Sequence, residues 1–501
     1  MPHLSKLWFY AFALCLGLLA TPAQANHRQA AIASAHPLAT QAGFAALAQG
    51  GNAFDAAIAV SAALAVVQPA GSGLGGGGFW LLKRVGDGKE VVIDGREAAP
   101  LAATADMYLD GQGQPIKALS LDGAKAAAIP GLPAALAHLA KKYGRLPLGL
   151  SLAPAIRLAE TGFPVGEAYL RGVKAKEKAL QACPATAAIF LQDGAAPQAG
   201  FRLVQKDLAA TLRRLAEQGH AGFYRGETAA KLVEAVRAGG GIWQQADLAG
   251  YHIVEREPVR GEYKGIRVVS APPPSSGGVA LLEILNVLAA YDLEHADPVT
   301  AKHLIIEAER RAYRDRDLYL GDPDFVNVPV RQLTSPDYAA GLRAAIRSDR
   351  ALPSAQLADA APAAQGDNTT HFSILDAQGN RVAATLSINQ GFGSGFVAAG
   401  TGVLLNDEMD DFAVSPGQPN AYGLVGGAAN KIEPGKRMLS SMTPTFLIGK
   451  DRIALLGTPG GSRIISMVVL GVLDFAQDHG PESWVKQGRF HHQYLPDVVE
   501  Y

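Results

Sequence analysis

The densest chemistry in the chain begins at Asn368-Thr369-Thr370-His371-Phe372-Ser373. It follows 352–367, an Ala-, Pro-, Gln- and Ser-rich stretch with little periodicity that reads as an exposed linker. A threonine hydroxyl is a weak nucleophile unless a base sits beside it. Were the chain cut just before Thr369, the freed α-amine would be such a base, carried by the same residue. Its ordinary pKa of about 7.7–8.0 lies near working pH, where general-base catalysis is efficient. The same hydroxyl could make the cut by attacking the carbonyl of Asn368. Read alone, Thr369 and Thr370 also have the character of ordinary β-formers, and both readings stay open at this point.

Two further groups carry chemistry. Gly460 and Gly461 follow an apolar strand pattern at 452–457 and precede an apolar run from Ile464. Backbone N–H groups near a helix start, with no side chain in the way, suit an oxyanion hole, and a tight turn has the same signature. Gly71-Ser72-Gly73-Leu74-Gly75-Gly76-Gly77-Gly78 invites a phosphate-loop reading, but no Gly-Lys-Ser/Thr follows and a strand comes next. Close backbone approach in a crowded core is the better use of those glycines.

These groups need elements to position them. Alternation at 368–376 and 381–388 around Ala377-Gln378-Gly379-Asn380 predicts a β-hairpin. A buried helix is expected over 53–67, capped by Asn52 and stopped before Pro69. Helical periodicity marks 132–142, 155–160, 208–217 and 229–237, and the loop 272–278 leads into a helix over 279–289. The charge-rich run 307–317 looks like a helix with paired charges, and a solvated face is the reading favoured for most of it.

With 501 residues, 48% of them apolar and 18% charged, the chain can bury a large core and is not disordered. Forty-five basic against 46 acidic residues give no case for nucleic acid or an anionic membrane as main partner. Cys15 and Cys183 make neither a disulfide framework nor a cysteine-rich zinc site. Lys6, an apolar run over 7–19 and Ala23-Gln24-Ala25 describe a signal peptide over 1–25, and the run is shorter than the ~20 residues of a spanning helix. An exported, periplasmic or secreted protein without a stable membrane anchor is expected.

Taken in order, the motifs resemble the γ-glutamyltransferases, or glutathione hydrolases, a family of N-terminal-nucleophile hydrolases made as one self-cleaving precursor. Gly51-Asn52-Ala53-Phe54-Asp55-Ala56-Ala57, the glycine run through Phe79, the 272–278 loop and Gly321-Asp322-Pro323-Asp324-Phe325 carry the first part of the resemblance. Thr369-Thr370-His371-Phe372-Ser373, Leu404-Leu405-Asn406, Met409-Asp410-Asp411-Phe412, Leu439-Ser440-Ser441-Met442 and Pro459-Gly460-Gly461-Ser462-Arg463 carry the second.

The resemblance implies an α+β fold, an αββα four-layer sandwich shared by a large chain, 26–368, and a small chain, 369–501. It implies Thr369 as nucleophile, with Asn368 and Thr369 flanking the cleavage site, and Ser387, two residues beyond Thr385, as a supporting hydroxyl. Gly460 and Gly461 become the oxyanion hole. Arg96, in Asp94-Gly95-Arg96-Glu97, would hold a donor's α-carboxylate with Ser440 and Ser441. Asn389, Glu408 and Asp411 would receive its α-ammonium, and 415–437, with Tyr422, would be a lid. At about 1.5–3 kcal/mol per bond to a charged group, two such anchors favour a zwitterionic donor by about 10²–10⁴ over a plain acyl chain.

The implied activity is cleavage of glutathione-like γ-glutamyl amides through a threonine ester, with transfer to water, amino acids or dipeptides and with no metal or organic cofactor. A related dicarboxyl (cephalosporin-type) acylase and a periplasmic binding relative that never matures are the alternatives. The family's small chain runs several dozen residues past Arg489-Phe490-His491-His492-Gln493, so a small chain ending at Tyr501 is expected to leave a sheet edge uncovered.

Overall fold

The computed structural model describes residues 29–357, 369–415 and 417–501. The expected signal peptide, most of the linker and Asn368 lie outside the described residues. Helix α1 (Pro37–Ala48) and helix α2 (Ala53–Val67) form one outer layer with α3 (Leu132–Lys142) and α4 (Leu148–Thr161). All residues of α2 are buried, as an alanine-rich helix with no polar stripe requires. Its start is a reciprocal capping box, Asn52 taking the N–H groups of Phe54 and Asp55 while Asp55 takes that of Asn52.

Inside that layer lies a six-stranded sheet built from β1 (Ala31–Ser34), β2 (Gly77–Lys83), β3 (Glu90–Gly95), β4 (Val254–Arg256), β7 (Thr370–Leu375) and β8 (Arg381–Ser387). Its strand order is β1-β7-β8-β2-β3-β4. The hairpin β7–β8 is the predicted one. The second sheet has the order β10-β9-β6-β5, from β5 (Val259–Tyr263), β6 (Ile266–Ser270), β9 (Thr445–Ile448) and β10 (Ile453–Leu456). Beyond it lie α5 (Gly277–Leu288), α6 (Pro298–Tyr319) and α7 (Ile464–Ala476).

Strand alternation divides the core. Trp80, Leu82, Ile93, Phe372 and Ile374 pack with the α1–α4 layer, whereas Phe79, Leu81, Val92 and Ala383 pack with Val268, Phe446, Leu447 and the α5–α7 layer. This is the expected αββα sandwich. The glycine run serves close approach, as predicted: a Cβ on Gly75 would lie 2.0 Å from the Leu404 carbonyl oxygen, and one on Gly76 2.1 Å from that of Ser387. Among the described residues no helix is long and apolar enough to cross a membrane.

One expectation fails. The run 307–317 is not a solvated face: Glu307, Glu309, Arg310, Arg311, Asp315, Arg316 and Asp317 are buried in α6. Pairing offsets the burial of several of these groups. Glu307 pairs with Arg311 at 2.7 Å, Arg316 with Asp317 at 3.0 Å, and Arg310 with Asp497 from the C-terminal segment. Helix α5 also begins two residues earlier than expected, at Gly277, because Gly277 and Gly278 fit against Thr443 and the Ala271 carbonyl where a side chain would not.

Candidate active site

Thr369 immediately precedes β7 and is 7% exposed. Alternation gives it the face of His371 and Ser373, opposite Phe372 and Ile374. The register pairs Thr385 with His371 and Leu386 with Thr370. Continued by one residue, it sets Ser387 opposite Thr369, so the hairpin itself delivers the second hydroxyl. Ser387 Oγ accepts the Asn389 N–H at 2.7 Å, which holds its orientation. Thr370 faces the other way and donates to Gln68 Oε1 at 2.7 Å, tying the hairpin to the end of α2.

Thr369 and Ser387 line one cavity with Arg96, Asn389, Glu408, Asp411, Tyr422, Ser440, Ser441 and Gly461. Gly460 lines a second opening that Thr369 also borders. Residues from seven separate stretches of sequence therefore converge on Thr369. The two glycines have φ of +135° and +55°, a conformation that side chains resist, and α7 starts three residues later.

Arg96 follows β3 and is 1% exposed. Its Nη1 lies 2.5 Å from Glu408 Oε2, its Nη2 pairs with Asp411, and its Nε donates to the Met438 carbonyl at 3.2 Å. Burial alone would lower its pKa, but the carboxylates of Glu408, Asp411 and Glu97 outweigh that and keep the guanidinium charged. Burial pushes Glu408 well above the usual carboxylate range against the pull of Arg96. The arginine expected for a carboxylate and the acids expected for an ammonium thus contact one another directly.

Two buried atoms of this cavity's lining residues, Glu408 Oε1 and Ser441 Oγ, have no hydrogen-bond partner among the described residues. Buried polar atoms are seldom left so, and at a cavity wall they point to a ligand with matching groups. Asn389 commits its amide Nδ2 to the Asp407 carbonyl at 2.9 Å, while its own carbonyl accepts the Tyr422 hydroxyl at 2.9 Å. Residues 417–437 form a loop with one short 3-10 turn at Ala428–Asn430, pinned at several points. Asp410 accepts the Ala421 N–H at 2.7 Å, and Asn430 Nδ2 donates to the Asp411 carbonyl at 2.7 Å. Tyr422 is buried with its ring against Gly461, where an added Cβ would lie 2.3 Å away.

Sequence reasoning missed Arg316, which lines the same cavity and donates from Nε to Ser276 Oγ at 3.1 Å. The available signal was the three- and four-residue spacing of Glu307 to Arg310 and Arg311, which fits internal pairing as well as a solvated face.

Two stacked sheets between helix layers, with a threonine at the head of an inner strand, define the class of N-terminal-nucleophile hydrolases. Residues 39–501 match the model of the Gamma-glutamyltranspeptidase family, and the chain belongs to that family. A glutathione hydrolase proenzyme of Pseudomonas sp. (strain A14) is 46% identical over 473 residues, spanning 93% of this chain and 82% of that one. The crystal structure of cephalosporin acylase from Bacillus halodurans superposes with a TM-score of 0.80 at 30% identity, covering 94% of this chain and 86% of that one. The γ-glutamyltranspeptidase of Helicobacter pylori superposes with a TM-score of 0.63 at 40% identity, over 65% of this chain and 93% of that one. The chain is an enzyme of γ-glutamyl hydrolysis and transfer.

Proposed function

We propose that the chain is a self-processing γ-glutamyl hydrolase and transpeptidase, with Thr369 as nucleophile and glutathione and related γ-glutamyl amides as donors. The observation that carries this reading is the single cavity in which Thr369 meets a buried arginine, two paired acids and an unpartnered serine hydroxyl. In processing, the Thr369 hydroxyl attacks the Asn368 carbonyl. The peptide bond becomes an ester, and water then frees a large chain, 26–368, and a small chain, 369–501, whose first amine is that of Thr369.

In turnover a donor brings its own carboxylate and ammonium, so it can take over the Arg96–Glu408 and Arg96–Asp411 pairings without a change in net charge. The carboxylate goes to Arg96 with Ser440 and Ser441, and the ammonium to Glu408, Asp411 and Asn389. Thr369 Oγ attacks the γ-carbonyl as its proton passes to the Thr369 amine. The oxyanion takes N–H bonds from Gly460 and Gly461, the leaving amine takes the proton, and a γ-glutamyl ester remains. Water, or the amine of an amino acid or dipeptide, then releases the acyl group. The acids at the ammonium position and a lid closed by Tyr422 favour this donor over the bulkier acyl groups of an acylase. The pattern of residues 1–25 supports export to the periplasm before maturation.

The test is the mass and N-terminal sequence of the purified protein beside Thr369→Ala. The expected outcome is two chains, the smaller starting Thr-Thr-His-Phe, and a variant that stays whole and inactive on γ-glutamyl-p-nitroanilide. An uncut chain with no turnover fits a binding relative, and equal turnover of glutaryl-p-nitroanilide fits an acylase; either result overturns the reading.

A further inference from the structure

Gln493 is 4% exposed and stands 71 residues from Tyr422. Its Nε2 donates to the Tyr422 carbonyl at 3.1 Å and to the Leu495 carbonyl at 3.2 Å. Carbonyls only accept, which fixes the amide's orientation and turns Oε1 toward His491 Nε2 at 2.9 Å. That oxygen has no proton to give, so neutral His491 carries its hydrogen on Nε2 and offers Nδ1 to the Ser466 hydroxyl. Ser466 belongs to the first turn of α7, which the Gly460-Gly461 turn feeds directly. Tyr313, whose ring meets His491 edge-on at 5.4 Å, donates to the Ser462 carbonyl inside that same turn. A continuous relay of side chains therefore joins the lid backbone to the helix that holds the glycine turn, and the two ends of the relay also touch where Tyr422 lies on Gly461.

We infer that Gln493, acting through His491, is a positioning residue that sets the height of the lid over the glycine turn and thereby the size of donor the site admits. The inference rests on the reading of 415–437 as a lid and of Gly460-Gly461 as the oxyanion site. Tyr422 is held by its hydroxyl on Asn389 and by its carbonyl on Gln493, two points on opposite sides of the residue. With both points held the Tyr422 backbone keeps one height; loss of the second lets it shift within the reach left by the Ala421–Asp410 bond beside it. The same loss frees the His491 tautomer and with it the Ser466 link to α7.

The test uses the full chain with Gln493→Leu and Gln493→Met, both uncharged and close to glutamine in volume. Rates are measured on γ-glutamyl-p-nitroanilide and on its N-α-methyl derivative, which keeps the ammonium and enlarges the group beneath the lid. The expected result is normal cleavage into two chains, a kcat/KM on the first donor lower by about tenfold, and a rate ratio favouring the methylated donor raised by about threefold or more. Thermal midpoints should fall by several °C in both variants, because the Tyr422 and Leu495 carbonyls and the His491 N–H lose their partner, while the kept packing volume lets both fold. A ratio that does not move in processed variants overturns the inference. So does a failure of both variants to fold or mature, which would make Gln493 a structural residue. Wild type in the same assay separates the two readings: no turnover there defeats the proposed function, whereas turnover with an unmoved ratio defeats only the role of Gln493.

Discussion

Ser441 gives the site its sharpest single-residue test, because its stability and binding effects have opposite signs. Its Oγ is buried without a hydrogen-bond partner, so the fold already bears the cost of a desolvated hydroxyl. Ser441→Ala removes that cost, and the thermal midpoint should hold or rise slightly. A donor carboxylate would lose one charge-assisted bond, so KM for γ-glutamyl-p-nitroanilide should rise about tenfold or more with kcat little changed. A lower midpoint with an unaltered KM would make Ser441 a packing residue and nothing else. Arg96 is the opposite kind of residue. Its partners Glu408 and Asp411 stay in the core whether or not it is there, so its removal mixes folding and binding losses and separates neither.

At the scale of elements, the turn Gly460-Gly461 and the lid hold each other in place. A Cβ on Gly461 would lie 2.3 Å from the Tyr422 ring, at a φ of +55° that alanine resists. Gly461→Ala must therefore move either the turn or the lid, and kcat should fall by about 10²–10³, the usual cost of losing an oxyanion donor. Retention of kcat would remove the turn from the mechanism. The elements that position Thr369 were legible in the sequence because their signals are local. Two-residue alternation around Gly379 set the hairpin, and its register brings Ser387 opposite Thr369; Asn52 and Asp55 announced the start of α2. Helix α6 was legible as a helix but not as a buried one. Periodicity reports which residues share a face and is silent on what covers that face. The partners that make its charges tolerable, Ser276, Ser354 and Asp497, come from three distant stretches. The anchors of the lid were hidden for the same reason, since a glutamine 71 residues away leaves no local trace.

For the molecule as a whole, the C-terminal segment links stability to pH. His491 and His492 are 3% and 1% exposed, and burial pushes both imidazoles down to about 4. For His491 the hydrogen bond to Gln493 and the charge of Glu500 oppose that shift, while Arg463 adds to it. For His492, Arg310 adds to it and Asp497 opposes it; in both cases burial prevails. Both native values lie below the unfolded value of 6.5, so as pH falls the unfolded chain takes up protons first. The stability these residues contribute is present above about 6.5 and is lost progressively toward about 4. At pH 5 the loss is about 2 kcal/mol for each histidine. Buried acids act in the opposite sense. Burial pushes Asp317 up to about 7 and Asp410 up to about 6, so each gains stability for the fold as pH falls through those values toward 3.8. The net slope of the protein is therefore a balance, and the histidine share emerges only as a difference between two chains. In urea titrations of the processed enzyme, the stability lost between pH 7.5 and pH 5 should be smaller in a His491→Gln/His492→Asn variant than in wild type, by about 4 kcal/mol. Equal losses in the two proteins would mean that neither histidine is held neutral in the native state. His491 steadies Gln493 through its Nε2–H, which protonation keeps, so in wild type donor selectivity should hold down to the pH of global unfolding, whereas in the double variant, which lacks that imidazole, it should be loose already at pH 7.5.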